Sequence, residues 1–173
     1  MTGTASRIIV WLLMLIGGAI VGILFDSRLF PILQPSIFWH IVSLAIGLAL
    51  LKLVMTISRN TGRWLAKHGR EGDIPRMQTN KLATEGPYSC MRHPMHMGLF
   101  LFPFVVAFLL GSPTFILIIA PLEVMLMIVM IILLEEPEAI AKFGDEYKDY
   151  MAKTPRFNLR SACLKFLFID PKK

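Results

Sequence analysis

The chain has 173 residues, 55% of them hydrophobic, a mean hydropathy of +0.61 and a formal net charge of +6. That apolar share exceeds what a soluble domain carries, and the length suits one membrane domain over residues 1–173. The positive charge does not mark a nucleic-acid protein, because the basic residues border apolar segments and form no continuous solvated face. Two cysteines, Cys90 and Cys163, supply neither a disulfide framework nor a metal-ligand set, so no metal is expected.

Four segments are long enough to cross a bilayer core, which needs about 20 apolar residues. The first, residues 8–25, carries no charge. It is too long for the apolar region of a cleavable signal and lacks a cleavage motif. The second covers residues 37–57 with Lys52 near its end, where the long side chain snorkels to the interface. Residues 95–110, short for a span unless the His-Pro entry or the Gly111 turn lengthens them, and 114–134 complete the set. Only the Gly111-Ser112-Pro113 turn separates these last two, which predicts an antiparallel hairpin. Helices satisfy their own backbone groups in lipid, so the expected fold is an all-α integral membrane protein with four transmembrane helices.

Glu123 falls near the middle of the fourth segment, two residues after Pro121. Two readings stand for it: a protonated or hydrogen-bonded glutamate holding the helices together, or a polar group lining a substrate cavity.

Basic residues set the orientation. Arg59, Arg63, Lys67, Arg70, Arg76, Lys81 and Arg92 follow the second segment, and a second basic cluster lies in the tail at 135–173. The first loop holds only Arg28 and the Gly111 turn holds none. The positive-inside rule then puts both termini and the loop 58–94 in the cytosol. Within that loop, residues 59–68 can extend the second helix into water, and the chain must turn between Gly69 and Pro75. The spacing of Ile140, Phe143, Tyr147, Tyr150 and Met151 predicts an amphipathic helix that ends at Thr154-Pro155, and residues 157–168 suit a second interfacial helix.

The chemistry concentrates at two edges of the apolar segments. The first is Gly86-Pro87-Tyr88-Ser89-Cys90-Met91-Arg92-His93-Pro94; the second is Glu135-Glu136-Pro137-Glu138. Ionisable residues are costly beside lipid, and two clusters of opposite charge at one membrane face read as the walls of one site. Arg92 offers a planar fork for a carboxylate. His93 can donate or accept, while Glu135 and Glu136 can hold ammonium or hydroxyl groups or offset a cation. S-adenosylmethionine, with its carboxylate, ammonium, ribose and cationic sulfur, would use all of these groups. A nucleotide or a phospholipid headgroup fits them too.

The stretch from Leu82 to Gly98, with Gly86-Pro87-Tyr88, Arg92-His93-Pro94 and Gly98 in order, resembles the signature of a superfamily of integral-membrane methyltransferases. These are the isoprenylcysteine carboxyl methyltransferases and phospholipid methyltransferases. The second element resembles theirs as well: Glu135-Glu136-Pro137-Glu138, then Phe143-Gly144, Tyr147, Tyr150 and Pro155-Arg156-Phe157. The resemblance covers about residues 55–157. It implies S-adenosylmethionine as methyl donor in a cytosolic pocket, closed by the segment after the last helix, and a lipophilic acceptor that enters from the lipid side. Carried onto this chain, Tyr88, His93, Pro94, His96, Glu136 and Tyr147 would line the donor pocket, while Arg92 and Glu135 would be catalytic where donor and acceptor meet. Glu123 would lie on the acceptor route. His96 stands where the superfamily usually has Tyr, and Ala139 where Leu is common. Cys90 inside the motif is expected to be a free thiol on a cytosolic face.

The implied activity is isoprenylcysteine carboxyl methyltransferase-like. Methylation of a phospholipid amine, or of a small thiol or amine, is the alternative within the superfamily. A small transporter and a non-catalytic membrane scaffold are the alternatives of other classes. Membrane lipids and a lipophilic acceptor are the expected partners, with no nucleic acid and no obligate protein partner. The expected location is multi-pass in a membrane, the inner membrane in a prokaryote.

Overall fold

The computed structural model describes residues 2–75 and 78–170, with side chains from residue 6 onward. All regular structure among the described residues is helical. Three helical stretches are long and apolar enough to cross a membrane: Ser6–Leu29, Ile37–His68 and Phe115–Phe143. Pro94–Leu110 is shorter, and turn residues Phe100 and Leu101 divide it. Of the four expected spans, three therefore meet the length. Dozens of large apolar side chains on these helices, Leu13, Leu24, Leu122 and Met125 among them, stand exposed. A water-soluble protein rarely shows such continuous apolar surface, and a lipid environment accounts for it.

The chain forms two compact units. One comprises residues 1–52 and 100–128. It contains α1 (Thr2–Leu29), the first turns of α2 (Ile37–His68), α5 (Phe102–Leu110), and a π-helical turn at Phe115–Ile119 leading into α6 (Ala120–Met130). Its core is Ala107, Phe115, Ile116 and Ala120. The turn joining α5 to the next helix works because Gly111 adopts a left-handed φ of 69°. Two side chains of α2 cap that turn: Trp39 Nε1 donates to the Gly111 carbonyl at 2.8 Å and Ser43 Oγ to the Phe108 carbonyl at 2.6 Å. The buried Asp26 accepts the Thr114 N–H at 2.9 Å. Glu123 is buried here as well, its carboxylate pressed so closely on Gly18 that a Cβ there would collide with it.

The second unit comprises residues 53–99 and 129–173. It holds the rest of α2, the short α3 (Pro87–Cys90) and α4 (Pro94–Leu99), and a π-helical turn at Ile131–Glu135 that runs into α7 (Glu136–Phe143). α8 (Asp145–Lys153) and α9 (Ser161–Phe166) follow. The single amphipathic helix expected across 140–151 is two helices, because Gly144 at φ 59° breaks it. Gly86, at φ 58°, starts α3 with no room for a side chain: a Cβ there would lie 2.7 Å from the Trp64 ring. Asn80 and Glu71 exchange two hydrogen bonds of 2.7 and 2.8 Å that close the loop after α2. The last segment is clasped to α2 by Arg63–Asp170, Asn60 Nδ2 to the Leu167 carbonyl and Trp64 Nε1 to the Ile169 carbonyl.

One expectation is corrected outright. Cys90 and Cys163 are not free thiols; they form a disulfide with a Cα separation of 5.6 Å. Seventy-three residues separate them in sequence, and only the packing of α9 on α3 brings them together.

Candidate active site

The site is built wholly within the second unit. Pro87 at the first turn of α3 and Pro94 at the start of α4 hold Arg92 and His93 in a short extended link. The backbone locks that link in place: Arg92 N–H donates to the Pro155 carbonyl at 3.0 Å and His93 N–H to the Arg156 carbonyl at 3.3 Å. The Pro155-Arg156 segment thus lies directly on the Arg-His-Pro link. Tyr150 adds a buried tie by donating its hydroxyl to the Tyr88 carbonyl.

Glu136, at the start of α7, is the centre of the charge network. It accepts from Arg92 Nε and Nη2 at 3.1 and 2.7 Å and from Arg156 Nε and Nη2 at 3.0 and 2.6 Å. Arg92 is spent on this contact and on the carbonyls of Thr154 at 2.6 Å and Met151 at 3.3 Å. Its side chain and that of Glu136 are 8% and 5% exposed, so the pair is desolvated and depends on this near-complete pairing. Glu136 also holds the Arg156 pKa above its usual value.

Glu135 points elsewhere. Its Oε1 lies 3.2 Å from His96 Nε2 and its Oε2 lies 3.7 Å from His93 Nδ1. The other ring nitrogen of His93, Nε2, is 3.4 Å from Glu136 without the alignment of a hydrogen bond, and it is buried with no hydrogen-bond partner. Burial, reinforced by His96, lowers the His93 pKa to about 4 despite the two carboxylates, so the imidazole is neutral near pH 7. The network therefore divides in two. Arg92 and Arg156 neutralise Glu136, while Glu135 faces two imidazoles.

Beside this network opens a cavity of about 240 Å³. Tyr88, Arg92, His93, Pro94, His96, Glu135 and Tyr147 line it, with Leu82, Phe143 and Tyr150 among the apolar wall. Burial raises the pKa values of Tyr88, Tyr147 and Tyr150, so all three phenols stay protonated.

Of the residues singled out by sequence, eight gather at this one place: Tyr88, Arg92, His93, Pro94, His96, Glu135, Glu136 and Tyr147. Glu123 does not; it belongs to the other unit and lines no part of this cavity. Arg92 pairs with Glu136, whereas Glu135 faces His93 and His96. Arg156 was not singled out, although the Pro155-Arg156-Phe157 motif contains it. A basic residue just after a helix-ending Thr-Pro, with two acidic residues waiting upstream, was the available signal.

Among the described residues the chain is helical, with three helices long and apolar enough to cross a membrane. Residues 42–146 match the model of the family described as phospholipid methyltransferase, and the chain belongs to that family. No curated protein and no solved structure matches it. Membership implies membrane methyltransferase activity.

Proposed function

We propose that the protein transfers a methyl group from S-adenosylmethionine to a lipophilic acceptor at the cytosolic face of the membrane. The observation that carries this reading is the cavity beside the charge network, walled by tyrosines, His93, His96 and Glu135. The walls fit the donor in kind: tyrosine faces suit a sulfonium cation, and Glu135 suits an ammonium group.

When bound, S-adenosylmethionine supplies an electrophilic methyl group. The chain supplies position and a water-poor setting. Glu136 and the Thr154 carbonyl hold Arg92, so it acts as a positioning residue that fixes the Arg-His-Pro turn against the C-terminal segment. Glu135, 28% exposed and lining the cavity beside His93 and His96, would orient an acceptor nitrogen or take its proton. His93 lines the cavity and would lie next to the donor, with Glu136 behind it.

The acceptor we propose is a lipophilic carboxylate of the isoprenylcysteine kind. The family match favours a second reading, the amine of a phospholipid headgroup. That acceptor must lose a proton, and Glu135 beside two imidazoles suits the task. The test is calorimetry of the detergent-solubilised protein with S-adenosylmethionine and its demethylated product, then transfer of labelled methyl to a panel of lipophilic acids, thiols and amine headgroups. Donor binding that disappears in His93→Ala supports the pocket assignment; unchanged binding there refutes it. The acceptor that carries label decides between the two acceptor readings.

A further inference from the structure

We propose that His93, His96 and Glu135 form a site for one divalent transition-metal ion, opening into the cavity. This goes beyond methyl transfer and does not rest on it. One potential ligand atom from each residue lies within 4.8 Å of the other two. Zinc bonds to nitrogen and oxygen are about 2.0–2.2 Å long, which puts tetrahedral ligands about 3.4 Å apart. His96 Nε2 lies 3.2 Å from Glu135 Oε1 and His93 Nδ1 lies 3.7 Å from Glu135 Oε2, each near that spacing through its own carboxylate oxygen.

The backbone makes the arrangement. His93 and His96 are three residues apart at the entry to α4, and the two rings meet edge to face with centroids 5.5 Å apart. Glu135 reaches both from the start of the α7 segment, through separate oxygens. The three side chains are 10%, 20% and 28% exposed, buried enough to shed water yet reachable from the cavity they line.

A second observation points the same way. A metal-bound histidine usually donates its other ring N–H to a carboxylate, which fixes the tautomer. With Nδ1 on the metal, His93 would carry its proton on Nε2, the buried atom that has no hydrogen-bond partner and lies 3.4 Å from Glu136. Two arginines already hold Glu136 in place as that outer carboxylate. Two imidazoles and one carboxylate suit zinc, iron, cobalt or nickel; calcium and magnesium prefer all-oxygen sets. Three protein ligands leave a further position, facing the cavity, for water or for an anionic group of a ligand.

The experiment is a cobalt(II) titration of the chelator-stripped, untagged, detergent-solubilised full chain, followed by visible absorption. The expected result is one equivalent bound, with the strong bands of low-coordinate cobalt. His96→Phe and Glu135→Gln should each weaken binding by at least about 100-fold, beyond the 10–100-fold that losing an outer partner costs. His68→Phe removes the unit's other histidine–glutamate contact, His68 to Glu85 at 3.1 Å, and should leave the titration unchanged. Thermal unfolding confirms that each variant is folded; should one fail, the other ligand variant decides. No cobalt equivalent, or unchanged affinity in the folded ligand variants, overturns the proposal. Calorimetry with S-adenosylmethionine on the same samples reports separately on the methyl-donor reading.

Discussion

Glu136→Gln keeps the shape of the buried carboxylate and removes its charge. In the native site that carboxylate accepts four guanidinium hydrogen bonds, two from Arg92 and two from Arg156. The two arginines do not count equally. Arg156 is 32% exposed and keeps much of its hydration, whereas Arg92 is 8% exposed and would be left buried without its counter-charge. Removing one partner of a buried pair costs about 3–5 kcal/mol. Arg92 retains the Thr154 and Met151 carbonyls, so the low end applies: a loss of about 3 kcal/mol. Arg156→Ala leaves the Arg92–Glu136 pair intact and removes a partly solvated contact, so it should cost no more than about 1 kcal/mol. Equilibrium unfolding in mixed micelles, followed by circular dichroism, measures both. The reasoning fails if Arg156→Ala costs as much as Glu136→Gln, or if Glu136→Gln costs less than about 1 kcal/mol.

Three further outcomes are expected. The chain has three tyrosines, Tyr88, Tyr147 and Tyr150, and burial raises the pKa of each above the ordinary 10.0; tyrosinate absorption should therefore be absent from the folded protein just above pH 10 and appear on unfolding. The unfolded chain releases these protons first, so their contribution to stability is complete below pH 10 and is lost as pH climbs through the higher folded values. Cys90→Ser opens a link between residues 73 apart, for which loop entropy gives a loss of up to about 4 kcal/mol; thermal unfolding of the native chain with reductant should match that of the variant, and no difference from the oxidised protein would refute the link. Gly18→Ala drives a methyl group into the Glu123 carboxylate and to 3.0 Å from Ile119 and Phe115, whereas Gly17 has nothing within 4 Å; the first should destabilise by about 1–3 kcal/mol and the second should not, by the same unfolding assay.

Much of this molecule is legible in the chain because its causes are local. Apolar runs of membrane length must be helical, since lipid offers backbone groups no other partner. Prolines and glycines around residues 86–94 and 111–113 mark where those helices end, and the two charged edges stand out because ionisable groups are rare there. Partner choice is different. Glu135 and Glu136 are neighbours with the same chemistry, yet successive residues on a helix point about 100° apart. One therefore meets Arg92 and Arg156, and the other meets His93 and His96. No sequence spacing says which is which; the rotation of the helix carrying them decides. The same holds for Arg156, which joins the site because its backbone carbonyl accepts the His93 N–H, and for Cys90 with Cys163, which meet only because α9 packs on α3. Composition and periodicity determine where the helices and the charges lie along the chain. Which charge meets which, and which buried atom is left for a ligand, depends on contacts between residues far apart in sequence, and those exist only in the folded structure.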